Sequence, residues 1–334
     1  MKKIVHVLLY GLLLAVVLTG IMGITHFIRK EDQRVEQEAE RLLAAKKAAA
    51  ENEADNSKTM QSENIRTVLV KKLPVYKEKK IVKIKADNNV EMLSYGDEVT
   101  LLEDDSLYAK IETKSGQKGY VWGDCIGMQA ESAQTGQQFQ AVVIDVEVLQ
   151  EEQDEPEYTA QETICVNIAR NLEKRLKERG YTVVMGKRAI EDAVSNAKIA
   201  ELANQIQADA VVRVCTEYNT DPEVHGAAAY CCPRDSSYPA GAFADDSQKL
   251  GKKILRYYTK TTGFTSAGVL ESDAFAGIRR SKIPVIVLNM GYLSNDRENS
   301  KMSGQKFQAK MAKGIADGLD AYFLWKQKEQ AASS

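Results

Sequence analysis

The sequence predicts an α/β protein: a mostly parallel sheet with helices on both faces, accompanied by a small all-β barrel and an N-terminal transmembrane helix. Three observations carry this expectation. Residues 4–28 form an apolar run without a charge, long enough at the helical rise to span a bilayer with some tilt. Residues 65–128 are short alternating segments broken by turn signals, the pattern of a small β barrel. From residue 140 onward, β-branched runs alternate with segments of helical period, which argues for a sheet covered by helices.

At 334 residues the chain accommodates two globular domains with a leader and a linker. A formal net charge of −2 argues against a general polyanion binder, so nucleic acid is not an expected partner. Three histidines occur, His6, His26 and His225, and the first two lie in the apolar run. A metal site needing two imidazoles therefore cannot be assembled outside that run. The cysteines, Cys125, Cys165, Cys215, Cys231 and Cys232, show no C-x-x-C spacing. Buried free thiols are expected rather than a zinc knuckle or a disulfide framework. Cys231 and Cys232 are neighbours on an expected strand, so their side chains point to opposite faces.

Taken in order, residues 1–30 read as a cytoplasmic tip and an uncleaved signal-anchor. A cleaved signal peptide has an apolar core of ~7–15 residues before a small-x-small site, and this run is longer and lacks that site. The charge asymmetry across it is weak, because Glu31 and Asp32 offset Arg29 and Lys30. Residues 31–64 are rich in Glu, Ala, Lys and Gln, which makes a helical or flexible linker and not a core. Residues 65–128 form the all-β domain, with turns at Tyr95-Gly96-Asp97 and Ser115-Gly116-Gln117. Seven lysines between residues 71 and 85 make its first half basic. They suit attraction to an anionic polymer, or equally an edge strand kept soluble by charge. Residues 129–139 are a polar linker.

In residues 140–326, A-V-V-I-D (141–145) is a buried strand. Residues 161–177 are helical, with Ile164, Cys165, Ile168, Ala169, Leu172 and Leu176 at spacings of three and four, and Gly180 stops them. Strands follow at 181–185, 210–215 and 226–232, with helices marked by Ile199, Leu202 and Ile206 and by Leu250 and Ile254. The strand I-P-V-I-V-L (283–288) suits burial on both faces. It ends in Asn289, at the edge where open α/β sheets carry their ligands. The stripe Phe307, Met311, Ile315, Leu319, Phe323 marks the final helix, before a tail at 327–334.

Two resemblances follow from these residues. The order L-P-V-Y, L-S-Y-G-D-E-V-T-L-L, L-Y-A-K-I, G-Q-K-G-Y-V-W-G-D-C-I in residues 65–128 resembles a bacterial SH3-like domain, which implies a module that holds peptidoglycan. The order A-V-V-I-D, I-A-R-N-L, A-N-Q-I-Q-A-D-A-V-V-R-V, H-G-A-A-A-Y, I-P-V-I-V-L-N-M-G-Y-L-S-N resembles zinc-dependent N-acetylmuramoyl-L-alanine amidases. That family implies a zinc held by two histidines and a glutamate, with a second glutamate activating the water. Zinc would lower the pKa of that water and polarise the scissile carbonyl. Both likenesses imply a wall-facing protein with the bulk of the chain outside a single-pass cell-membrane anchor.

Carried over position by position, the resemblance finds each reactive group changed. Asp145 is kept, but the first imidazole is Val148. Gln161 stands for the metal-binding glutamate, with Glu162 its neighbour by a one-residue shift. Cys215 stands for the second histidine and Asn289 for the terminal glutamate. Valine ligates nothing, glutamine is a poor ligand, and an amide does not move a proton near neutral pH. Zinc is therefore expected to be absent, and the groove candidates left are Asp145, Arg279 and Arg280. The arginines could hold a peptide carboxylate, or simply be solvated at a strand entrance. The acidic stretch 147–157 lacks calcium-loop spacing, and His225 lacks a G-x-S-x-G partner. Whether the chain is an enzyme is left open. The leading expectation is a membrane-anchored, wall-associated protein that has lost zinc and catalysis and binds peptidoglycan or an anionic wall polymer. It would act alone or with a wall hydrolase or envelope protein. An active amidase and a structural envelope scaffold are the alternatives.

Overall fold

The structure, a computed structural model, describes residues 64–79, 88–105, 107–128, 140–146, 156–188 and 194–333. The first part is a seven-stranded sheet built from β1 (Ile65–Val68), β2 (Lys72–Tyr76), β3 (Asn89–Ser94), β4 (Glu98–Asp104), β5 (Tyr108–Thr113), β6 (Lys118–Trp122) and β7 (Ile126–Gly127). Its order is β3-β2-β6-β5-β4-β1-β7, antiparallel throughout. Alternation puts Ala109, Ile111 and Thr113 of β5 inside and leaves their neighbours half-exposed. At Gly119 the strands approach so closely that a Cβ would lie 2.6 Å from the Tyr76 carbonyl oxygen.

The second part runs β8 (Ala141–Val146), α1 (Pro156–Glu178), β9 (Thr182–Met185), α2 (Asn196–Gln205), β10 (Ala210–Glu217), β11 (Ala227–Cys231), α3 (Ala244–Thr262), β12 (Ser266–Glu271), α4 (Ala276–Arg279), β13 (Val285–Tyr292), α5 (Asp296–Met302) and α6 (Gln305–Ser333). The sheet order is β12-β11-β13-β10-β8-β9. Val142, Ile144 and Val146 face α1, α3 and α6, while Val143, Val211, Val285 and Val287 face α2, α4 and the first sheet. Such double burial is why these strands read as unbroken apolar runs. The helix α6 lies tight on α3, because a Cβ at Gly318 would come within 2.5 Å of Ile254 Cα.

The two sheets are fastened together by specific polar contacts. Trp122 Nε1 donates to the Met185 carbonyl at 3.1 Å. The Asp124 carboxylate accepts from Met185 N at 3.0 Å, from Lys177 at 3.3 Å and from Arg188. Tyr76 Oη donates to Gln205 Oε1 at 2.5 Å, and Lys71 pairs with Asp209 at 2.5 Å.

Two expectations need correction. The fold is α/β, but taken over both sheets it is not mostly parallel. Of the strand pairings among the described residues, seven are antiparallel and four parallel. Within the second sheet the reversal comes at β11, which runs against β13 because its peptide polarity is turned over by the loop 218–226. The transmembrane helix and the single-pass membrane localisation are corrected too: no helix among the described residues is long and apolar enough to cross a membrane. The apolar run 4–28 that raised them lies outside the described residues, as does the linker 31–63.

Candidate active site

β10 and β13 run in parallel to a common carboxyl edge, where Cys215 and Asn289 are register partners and Ala228 of β11 stands opposite Asn289. Asn289 is fully buried. Its Oδ1 accepts from Gly291 N at 3.0 Å, which fixes the amide orientation and turns Nδ2 toward the Tyr292 phenol. Nδ2 finds no well-formed hydrogen bond there. Gly291 has a φ of 145°, and a Cβ at that position would lie 2.9 Å from Glu298 Oε2, so this bend needs glycine.

The remaining donors at this edge are tied to backbone. Cys215, 5% exposed, donates its thiol to the Leu288 carbonyl at 3.6 Å. Gln161, buried near the start of α1, donates Nε2 to the Thr216 carbonyl. Glu162 is half-buried beside it, and its charge adds to burial in holding the Cys165 thiol up at about 12. Asp145 sits deeper. It is 0% exposed, opposite Arg213 in the β8–β10 register, with Arg213 Nη2 3.0 Å from its Oδ2. Burial pushes the Asp145 carboxyl upward, and Arg213 and Lys187 pull it back. The guanidinium occupies space that only a glycine leaves free: a Cβ at Gly277 would fall 1.2 Å from Arg213 Nη1.

Other expected residues lie elsewhere. Val148 and the acidic stretch up to residue 155 lie outside the described residues. Arg279 rests on the Tyr238 ring, 5.2 Å from its centroid. The Arg280 carbonyl accepts from Asn204 at 2.9 Å, near the end of α2. That is the amino edge of β13, away from Asn289. His225 is exposed, its Nδ1 2.7 Å from the Glu223 carbonyl oxygen. It borders a cleft of about 460 Å³ shared with Phe264, Asp296, Arg297 and Lys301.

The structure brings in residues that sequence reasoning missed. Glu217, half-buried, closes β10 opposite Tyr292, after a register shift that follows Cys215. Burial raises the pKa of its carboxyl, and the nearby hydroxyls of Tyr292 and Tyr230 hold it back. The Tyr230 ring meets Phe275 at 5.2 Å between centroids. Glu298, buried, builds the edge itself: its carboxylate accepts from Gly226 N and Tyr292 N, both at 2.8 Å. Asn295 caps α5 by accepting from Glu298 N, and its Nδ2 donates to the Pro222 carbonyl at 2.7 Å. The G-Y-L-S-N stretch is therefore chiefly a fastening for the loop 218–225. The signals available were a strand-end carboxylate in T-E-Y (216–218) and a strand-end tyrosine in M-G-Y (290–292), while Tyr230, inside A-A-A-Y-C, gave none.

Zinc can be tested against these groups. An amide whose oxygen is held by Gly291 N does not fit a cation, nor does one donating to a carbonyl, nor a thiol engaged with backbone. Among the described residues, no group of three or more His, Cys, Asp or Glu could hold a metal ion. The residues described here do not fit the family's zinc.

An open α/β sheet with polar groups gathered at the carboxyl edge of its central strands defines a class of proteins that carry their ligands at that edge. Within that class the chain belongs to the N-acetylmuramoyl-L-alanine amidase family, whose model matches residues 152–321. The uncharacterized protein YqiI of Bacillus subtilis is 22% identical over 160 residues, 48% of this chain and 73% of that protein. The probable cell wall amidase LytH of Staphylococcus epidermidis is 23% identical over 169 residues, 50% of this chain and 52% of that protein. The solved N-acetylmuramoyl-L-alanine amidase of Clostridium difficile 630 is 20% identical, with a TM-score of 0.49 covering 55% of this chain and 97% of the other.

Proposed function

We propose that this chain is a non-catalytic member of the amidase family that binds peptidoglycan or regulates its hydrolysis by another enzyme. The observation that carries this reading is Asn289, a fully buried amide committed to Gly291 N at the strand end where a proton acceptor would work. Loss of a general base alone lowers a rate by ~10²–10⁴. Without a metal the nucleophilic water is lost as well, and the two losses act as one unit. Cys215 and Gln161 support the same reading through their bonds to backbone carbonyls. In this reading the amidase-like domain spans residues 140–326 and the first sheet, residues 65–128, is an SH3-like module that holds wall polymer. An envelope protein or a wall hydrolase is the second partner such a surface could serve.

The test uses the full chain with purified wall sacculi. Retention on sacculi, no released peptide and substoichiometric zinc are expected. Stoichiometric zinc with peptide release would overturn the reading.

A further inference from the structure

Resting on the wall-binding reading, we propose that the turn 279–282 and the start of β2 form one track for a linear polyanion of the wall, a chain bearing phosphate at each repeat. The two segments meet at the end of α2. Asn204 clamps the turn, its Nδ2 donating to the Arg280 carbonyl at 2.9 Å and its Oδ1 accepting from Lys282 N at 2.7 Å. The adjacent Gln205 accepts from Tyr76 Oη, on β2, at 2.5 Å. A second link runs through the amino ends of the strands. Val211 N of β10 donates to the Pro284 carbonyl at 2.9 Å, and Asp209, just before β10, pairs with Lys71 at 2.5 Å. The turn and the lysines that open β2 therefore share the amino edge of the second sheet, at the end of β13 away from Asn289.

Lys71 is neutralised by Asp209, but Lys72, Arg279, Arg280 and Lys282 have no carboxylate partner among the described residues. Lys72, Arg280 and Lys282 are exposed, and the Lys72 ammonium donates to Ser94 Oγ at 3.1 Å. Arg279 is half-buried over the Tyr238 ring, with Nη1 3.4 Å from the phenol oxygen. Held there, the guanidinium keeps its other N–H groups for an oxyanion. The helix α2 adds one acid, Glu201, and one base, Lys198, so the positive surplus stands. Because these cations are spread over two sheets, a single small anion would meet one or two of them, whereas a chain that repeats its charge meets all. Two lysines beside two arginines suit phosphate, which takes lysine as a point charge and arginine as a fork.

The test measures calorimetric binding of long-chain inorganic polyphosphate to the full chain at two salt concentrations. Four phosphate contacts on the slope of a flexible chain give a loss of about 50-fold in affinity between about 50 and about 200 mM salt. Arg279→Gln, Arg280→Gln and Lys282→Gln combined leave one contact and should cut that loss to about threefold, with weaker binding at low salt. Arg280→Gln with Lys282→Gln alone should give about sevenfold. If the triple variant fails to fold by circular dichroism, this double variant at two exposed positions decides. No binding of polyphosphate, orthophosphate bound as tightly, or a salt dependence unchanged in the variants would overturn the proposal. Duplex DNA bound more tightly than polyphosphate would overturn it in favour of a nucleic-acid surface. Sacculi that retain a chain indifferent to polyphosphate would sink the track alone. Sacculi that do not retain the chain, or that it cleaves, would sink the wall-binding reading itself.

Discussion

Replacing Arg213 by Met leaves the Asp145 carboxylate facing an apolar side chain in a fully buried position. The two groups are 3.0 Å apart and 1% and 0% exposed. Breaking a buried pair from one side costs about 3–5 kcal/mol, because the surviving charge is stranded. Lys187, also buried and close enough to lower the Asp145 pKa, keeps the loss toward the bottom of that range. Against a total stability of roughly 5–15 kcal/mol the loss is large. Its pH dependence has a definite sign. Asp145 is raised above its ordinary 3.8, so its contribution to folding is fully present below that pH and is lost as pH rises through the higher folded value. Removing Arg213 raises the folded value further. Urea unfolding at pH 7 and pH 5 should therefore show a deficit that shrinks toward acid. The double variant Asp145→Asn with Arg213→Met should recover most of it. A loss under about 1 kcal/mol, a deficit independent of pH, or a double variant no better than Arg213→Met would refute the buried-pair account.

Other consequences are measurable on the same material. Gly277→Ala should reproduce the Arg213→Met deficit in thermal melting, since its Cβ would overlap the guanidinium at 1.2 Å. Gly318→Val should cost about 1–3 kcal/mol by overpacking α6 against Ile254. Asp124→Ala should leave Met185 N and Arg188 without their carboxylate and lower stability by about 1–3 kcal/mol. Hydrogen exchange would locate that loss where the two sheets meet. With Cys165 near 12 and Cys231 near 11, the native chain at pH 8 should resist thiol alkylation until denaturant is added, because both thiols are buried and protonated.

The helices and central strands were readable because their apolar residues recur at the periods of buried elements: Leu172 and Leu176 on α1, Met311, Ile315 and Leu319 on α6, residues 285–288 on β13. The reversal at β11 was not readable. A-A-A-Y-C is apolar whichever way it runs, and direction is set by the loop that delivers it. The strand β12 escaped notice because Ser266-Ala267-Gly268 gives no periodic signal. At the site, sequence found Gln161, Cys215 and Asn289 through family positions, and the structure ties the first two to backbone carbonyls around β10 and β13. Arg213 and Glu217 lay two residues either side of Cys215 and were passed over. Charges within a strand flanked by valines look like surface positions until the neighbouring strands are known.

The joint at Trp122 and Asp124 has a mechanical consequence. With the indole bonded to the Met185 carbonyl and the carboxylate gripping Met185 N and Arg188, the lysine-bearing sheet and the edge bearing Glu217 do not swing past one another. On the wall-binding reading, a polymer engaging both surfaces would meet them as the jaws of a caliper locked at one opening. Such a joint would favour chains whose repeat length matches that opening over those that must stretch or buckle to reach both.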